Sequence, residues 1–285
     1  MVIERAINGR LFSVSDTPPS DPYRFPVTTL DPSRMRVTQV PTDVIQQYQP
    51  RMSRVVWRPA PGRKMGFVLT HANDVLGLMF FSSPVISMAA RDKAIGMPKD
   101  GSERGAALRS WYDLSVCVSA QPIGWYWNVG KCLAMIAPTL GPFLVARYGG
   151  TFSGVVTTGA FGRASQYERV MKFVGYSSGF GHEHINSDQY ADIVAATYLS
   201  GSEVPTGAFG EGPNLRFRRI AAYRKATNDK THTTFHGNKR SIYFVRATDK
   251  SWQDAISEWY KRWGKPRWDR VQNETPPYLS GISHD

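Results

Sequence analysis

The chain has 285 residues, and its 35 Lys and Arg against 23 Asp and Glu give a formal net charge of +12. A content of 41% hydrophobic and 12% aromatic residues supports a packed core and excludes a disordered chain. The cysteines, Cys117 and Cys132, are too few for a disulfide framework or a four-cysteine metal site.

No window approaches the ~18 apolar residues that span a bilayer. Met1-Val2-Ile3-Glu4-Arg5 is followed by no apolar run of a secretory leader. The sequence therefore predicts a soluble, cytoplasmic protein with no membrane partner. Its basic balance is most economically explained by a polyanionic partner, with nucleic acid first.

Residues 1–61 hold nine of the 19 prolines. Pro18, Pro19, Pro22, Pro26 and Pro32 rule out a long helix there. The segment reads as an extended arm, with a short strand over 7–14 and a brief helix over 42–48 that Thr42 would cap. Residues 65–70 and 75–81 then form a hairpin around His71-Ala72-Asn73-Asp74, whose Asn-Asp pair is turn chemistry. Ser83 and Pro84 are placed to start a helix that Gly96 stops, and 98–110 reads as a charged loop.

Residues 112–119 put Leu114, Val116 and Val118 on one face, the period of a strand. Asn128 is placed to cap a following helix, Gly130 lets another group approach its first turn, and Lys131 adds charge where the helix dipole already favours anions. A strand over 152–158 and a Gly-containing turn over 159–165 follow. A short helix over 166–173 then runs into Val174-Gly175-Tyr176. His182-Glu183-His184 falls short of a metal's ligand set, so exposed loop histidines and no metal are expected.

A helix over 186–199 comes next, with Ser187 as its cap. From 205 to 285 there are 15 Lys or Arg against 8 Asp or Glu. Arg216, Arg218 and Arg219 surround Phe217, and Lys261, Arg262, Lys265 and Arg267 alternate with Trp263 and Trp268. Phosphate-neutralising charge beside stacking rings is the composition of a surface for double-stranded DNA. Cations snorkelling around a buried Trp give the same pattern. A strand over 239–245 and an amphipathic helix over 252–263 complete the pattern, with a surface tail from Gly264.

The succession of strand, anion-ready helix, strand and short helix into Phe173-Val174-Gly175-Tyr176 resembles the acyl-CoA-binding half of the GNAT acyltransferase superfamily. That resemblance implies an α/β (α+β) GNAT-like acyltransferase fold, a central mixed, mostly antiparallel sheet splayed at the cofactor site. Its core would span 62–181, between the arm at 1–61 and a basic, aromatic-rich extension at 182–285 that completes the core. The cofactor implied is acetyl-CoA, held along Val118 and Ser119 and at the helix start by Asn128, Val129, Gly130, Lys131 and Cys132. Tyr167 would protonate the departing thiolate, with Ser165 and Asp113 as second candidates. The Gly-x-Gly/Ala spacing usual at that helix start is absent; only Gly130 stands there.

Gly77-Leu78-Met79-Phe80-Phe81-Ser82-Ser83, then Ala90-Arg91-Asp92-Lys93-Ala94-Ile95-Gly96, and later Ser165-Gln166-Tyr167 before Val174-Gly175-Tyr176 resemble the DUF4338 family, which includes the A component of Druantia anti-phage systems. The same core is similar to the Mom-like enzymes of phage Mu type, which carbamoylmethylate adenine N6. The resemblance covers about 66–181 and, more loosely, 239–263. It implies a DNA-modifying enzyme of phage or mobile-element origin that transfers an acyl-derived group to adenine N6 and so protects DNA from restriction. The target base would have to leave the stack, with Trp125-Tyr126-Trp127 as either a base platform or core. Two alternatives stay open: a non-catalytic DNA-binding protein of a Druantia-like defence system, and an N-acyltransferase acting on a small amine or protein. Iron and a homodimer are compatible with the resemblance, but no residue pattern reads out either. Kinase, P-loop, dehydrogenase and zinc-protease chemistry lack their motifs.

Overall fold

A computed structural model describes residues 29–53, 55, 57, 59, 62–72, 74–160, 162–179, 185–207, 213–229 and 237–274, with the backbone of two strands at 2–7 and 10–15. In chain order the elements begin with β1 (Val2–Ile7), β2 (Arg10–Ser15), β3 (Met35–Val40), α1 (Thr42–Met52), β4 (Lys64–His71) and β5 (Asp74–Ser82). Next come α2 (Ala89–Ile95), α3 (Gly101–Ala107), β6 (Trp111–Ser119), α4 (Ile123–Trp127), α5 (Val129–Ile136) and α6 (Gly141–Tyr148). The chain continues with β7 (Gly154–Thr158), β8 (Lys172–Tyr176), α7 (Ser187–Leu199), α8 (Pro213–Thr227), β9 (Ser241–Arg246) and α9 (Trp252–Trp259). A π-helical turn over Tyr260–Gly264 then leads into α10 (Lys265–Val271).

Seven strands, in the order β3-β4-β5-β6-β7-β9-β8, form a mixed, mostly antiparallel open sheet, and the β1–β2 hairpin extends it beyond β3. The parallel pair inside it is β6–β7; β3–β4, β4–β5, β5–β6 and β7–β9 are antiparallel. Both faces of β4 and β5 are covered, which is why these strands read as near-continuous apolar runs. Phe67, Leu69, Leu76 and Phe81 meet Leu133, Ile136, Phe143 and Trp259 from the helices on one face. On the other face Val68, Leu78, Phe80 and Val116 meet Val44, Ile45 and Tyr48 of α1. Gly66 allows this approach, because a Cβ there would lie 2.6 Å from Ile45 Cγ1.

The chain folds as two compact units, Met1–Gly175 with Ser241–Asp285, and Tyr176–Arg240. Strand β9 and helix α9 thus return the C-terminal segment to the sheet. In the second unit α7 and α8 pack through Ile185, Ile193, Ile220 and Tyr223.

Several expectations are corrected. Within the proline-rich arm, β3 pairs with β4 from Met35 to Val40. Thr42 is the first helical residue and Pro41 precedes it without a capping side chain. The helix expected from Ser83 starts only at Ala89, and the Ser83 hydroxyl instead accepts the Arg63 amide at 3.0 Å. Gly96 does end that helix, at φ 71°. Asp100 caps α3 inside the supposed loop. Asn186, not Ser187, caps α7, in a reciprocal pair with Gln189. Residues 166–171 make successive turns instead of a helix, and the first part of the tail, Lys265–Val271, is helical and packs on α4. Among the described residues no single helix is long and apolar enough to cross a membrane.

Gly154 sits at φ +152°, and a Cβ there would meet the Val245 carbonyl oxygen at 2.3 Å and Arg246 Cα at 2.9 Å. Backbone on the adjacent strand cannot yield, so Gly154→Ala is expected to cost about 2–4 kcal/mol in denaturant unfolding. Gly101→Ala, where nothing lies within 4 Å, is expected to be within about 0.5 kcal/mol of wild type.

Candidate functional site

Strands β6 and β7 pair only from Trp111 to Asp113 against Gly154 to Val156. Beyond Asp113 the ladder stops while β6 runs on to Ser119. A buried carbonyl without a strand partner must be satisfied some other way. Thr157 Oγ1 donates to the Leu114 carbonyl at 2.8 Å, and Gln166 Nε2 donates to the Cys117 carbonyl at 3.1 Å. The Tyr167 ring is buried beside them, its hydroxyl 3.4 Å from Thr157 Oγ1. The parting of the strands is thus filled by the chain's own side chains. Val118 and Ser119 lie past it, paired with Leu78 and Gly77 of β5.

The helix start is covered as well. Asn128 does not cap α5 through its side chain. It forms a left-handed corner (φ 55°, ψ 42°) between α4 and α5, and its carbonyl accepts Trp259 Nε1 at 3.1 Å and the Lys131 amide at 3.0 Å. A Cβ on Gly130 would lie 2.6 Å from Gln166 Oε1, so glycine here makes room for that side chain. Val129 and Cys132 are fully buried.

Lys131 is only 6% exposed, and its Nζ donates to the Ser165 carbonyl at 2.9 Å and the Glu168 carbonyl at 2.6 Å. Burial first, then the nearby Arg169, holds its pKa below the usual lysine value. The ammonium fastens the 165–168 turn, which is the work the structure gives to the charge expected at a diphosphate.

That turn has Glu168 at its centre. Arg163 grips both carboxylate oxygens, Nε at 2.7 Å and Nη2 at 2.5 Å, and Tyr243 donates its hydroxyl at 2.8 Å. Arg163 and then Tyr243 hold the Glu168 carboxyl below its usual value. The Tyr243 hydroxyl also accepts the Ala164 amide at 3.0 Å. Arg169 closes the turn exposed and at φ 67°. Ser165 is exposed, and Asp113 is half-buried in the last residue pair of the β6–β7 ladder. Burial pushes the Tyr167 phenol well above its usual value, so it keeps its proton at neutral pH. Tyr167 and Ser165 therefore share one turn, and Asp113 stands at the end of the ladder beside it.

The expected DNA-binding residues divide in two. In the first unit Lys261, Arg262 and Lys265 are exposed, Lys265 pairing with Asp269 one turn on. Arg267 is half-buried, its Nε on the Trp125 carbonyl at 3.2 Å and its guanidinium 4.5 Å from that indole. Trp127 is core: it stacks between Trp268 at 4.9 Å and Tyr260 at 5.9 Å. In the second unit Arg216 holds the Ile185 carbonyl and the Tyr190 ring, and Arg219 holds the Pro205 carbonyl at 3.0 Å. Arg218 is exposed, with one bond to the Thr206 carbonyl at 3.2 Å. His182, Glu183, His184, His232 and His236 lie outside the described residues. Among the described residues no group of three or more His, Cys, Asp or Glu could hold a metal ion.

Gln166, Glu168, Arg163, Arg169 and Tyr243 were missed as a unit by sequence reading. The signal for the first four was the polar run inside 162–169, which helical spacing would have scattered around a cylinder; Tyr243 comes from β9.

The geometry defines a mixed α/β protein in which Thr157 and Gln166 bond the β6 carbonyls left by the parted strands, with exposed cations nearby. No family model matches the chain, and no solved structure matches it. It is 23% identical over 216 residues to Druantia protein DruA of Escherichia coli (strain UMEA 4076-1), a distant relation to a Druantia defence protein. The match covers 67% of this chain and 52% of the relative, so the chain spans about half of that protein's length.

Burial pushes the Cys117 thiol from 9.0 up to about 12. Its folded pKa is raised, so its contribution is complete below the unfolded thiol's value and is lost as pH rises towards the folded one. In that alkaline window an unfolded thiolate forms while the folded thiol does not, costing about 1.4 kcal/mol per pH unit. Urea unfolding at stepped pH is expected to show a shallower alkaline decline for Cys117→Ala than for wild type.

Proposed function

We propose that this chain is a DNA-engaging component of a Druantia-like defence system, binding double-stranded DNA through exposed cations and performing no acyl transfer. The observation that carries this reading is a contrast between two sets of groups. The β6 carbonyls and the α5 start, where an acyl-CoA would be held, are occupied by Thr157, Gln166 and Trp259. Arg169, Lys261 and Arg262 beside them face solvent. The distant relation to DruA and the formal charge of +12 point the same way. A bacterial cytoplasm is the compartment this reading requires.

Adenine modification by a GNAT-like enzyme is the second reading. It is favoured by the parting of β6 from β7 after Asp113, with Tyr167 buried in the gap. Under it, acetyl-CoA would displace Gln166 from Gly130, and Tyr167 would supply the proton for the thiolate.

Anisotropy with a duplex oligonucleotide across salt concentrations tests the first reading. A log–log slope of about −3 or steeper is expected, equivalent to at least roughly three neutralised phosphates. Salt-independent or absent binding would contradict it. Calorimetric acetyl-CoA binding, together with a new adenine species in nucleoside mass spectra that Tyr167→Phe abolishes, would favour the second.

A further inference from the structure

Two uncommon backbone features stand around one buried cation. Arg169 holds a left-handed conformation at φ 67°, which costs a side-chain-bearing residue free energy and persists where surroundings impose it. Tyr260–Gly264 is a π-helical turn, a rare form that concentrates at working surfaces. Lys131 joins them. Its Nζ bonds the carbonyl of Glu168, the residue before Arg169, and lies 5.3 Å from the centroid of the Trp263 ring in the π turn. The Arg262 guanidinium is 4.5 Å from that same ring.

The charge gathered there is only partly balanced locally. Glu168, the acid of this turn, is already taken by Arg163 and Tyr243. On the C-terminal arm Glu258 pairs with Lys250 and Asp269 with Lys265. Among the described residues neither Arg169 nor Arg262 pairs with a carboxylate, and both are exposed. Burial most, then Arg169, push the Lys131 pKa down; Glu168 opposes them, and Arg262 adds a smaller push down. Free protein thus carries a repulsion that an incoming polyanion would relieve.

We infer that the 165–169 turn and the π turn form a two-armed phosphodiester clamp, with Arg169 and Arg262 as its fingers and Lys131 as the positioning cation that spaces them. The inference rests on the DNA-engaging reading and names the face that performs it. Lys131 gives two donors to carbonyls and is buried behind the turn. Guanidinium groups suit phosphate oxygens because their paired N–H donors bind two at once. Two exposed guanidinium groups on separate arms, continued by exposed Lys261, offer several separate contacts to the phosphates of a strand.

Duplex binding by the full chain, followed by anisotropy against salt, tests the clamp. The double variant Arg169→Gln/Arg262→Gln is expected to bind at least about tenfold more weakly on any sequence, with the slope shallower by about 2. Lys93→Gln/Lys99→Gln, the same charge loss elsewhere, is expected to stay within about threefold of wild type. Arg169→Gly separates function from folding: it is expected to raise the unfolding midpoint, since glycine accepts this φ freely, and still to weaken DNA binding. A double variant with wild-type affinity and slope overturns the clamp and leaves the DNA-engaging reading standing. Wild type without salt-dependent binding overturns both. Displacement of duplex by micromolar coenzyme A, but not by inorganic phosphate at the same concentration, overturns the assignment to a phosphodiester strand.

Discussion

Leaving a buried carbonyl without a donor costs about 1–3 kcal/mol, and the divergence of β6 from β7 would strand two of them, at Leu114 and Cys117. The rest of this unit is arranged around meeting that demand. Thr157 meets one from β7 itself, and Gln166 meets the other from a turn that must be held close. Lys131 holds the turn by its carbonyls, Tyr243 holds it by an amide and a carboxylate, and Gly130 leaves space for Gln166 to reach across. Parted strands can serve as a ligand's edge or be completed by the chain. Here side chains complete them.

That arrangement sets the chemistry available. Tyr167, Cys117 and Cys132 are deep enough that their neutral forms are favoured far above neutral pH, and thiols so buried are poor nucleophiles. Among the described residues of this region, Arg169, Lys261 and Arg262 are exposed, as is Ser165. The aromatic stack of Trp268, Trp127 and Tyr260 fastens the C-terminal arm to α4, so that Lys261 and Arg262 are displayed from a rigid base. Under the proposed clamp, such a base would lower the conformational entropy lost when phosphates are contacted.

Much of this fold was legible in the sequence. Alternation at 112–119, the 65–81 hairpin and the Gly96 stop each rest on local chemistry, and each stands where expected. What was not legible depends on distant partners. Asn128 looks like a cap in isolation, but Trp259, 131 residues away in sequence, claims its carbonyl. Lys131 looks like a phosphate ligand until Ser165 and Glu168 fold onto it. Gln166 to Phe173 has helical composition, yet the strand β8 begins inside it at Lys172. Arg216 and Arg219 read as a DNA patch, and the sequence carries no sign that Arg216 also bonds the Ile185 carbonyl and Arg219 the Pro205 carbonyl. Basic composition alone does not reveal which arginines also hold loop carbonyls.

The most direct test follows amide hydrogen exchange across 114–118, 163–171 and 260–265 with duplex DNA or acetyl-CoA added in turn. The sealed-sheet account expects DNA to slow exchange at 165–171 and 260–265, and acetyl-CoA to leave all three segments unchanged. Acetyl-CoA that alters exchange at 114–118 and 163–171, with DNA altering nothing, would contradict it, because the gap between β6 and β7 would then be a cofactor site.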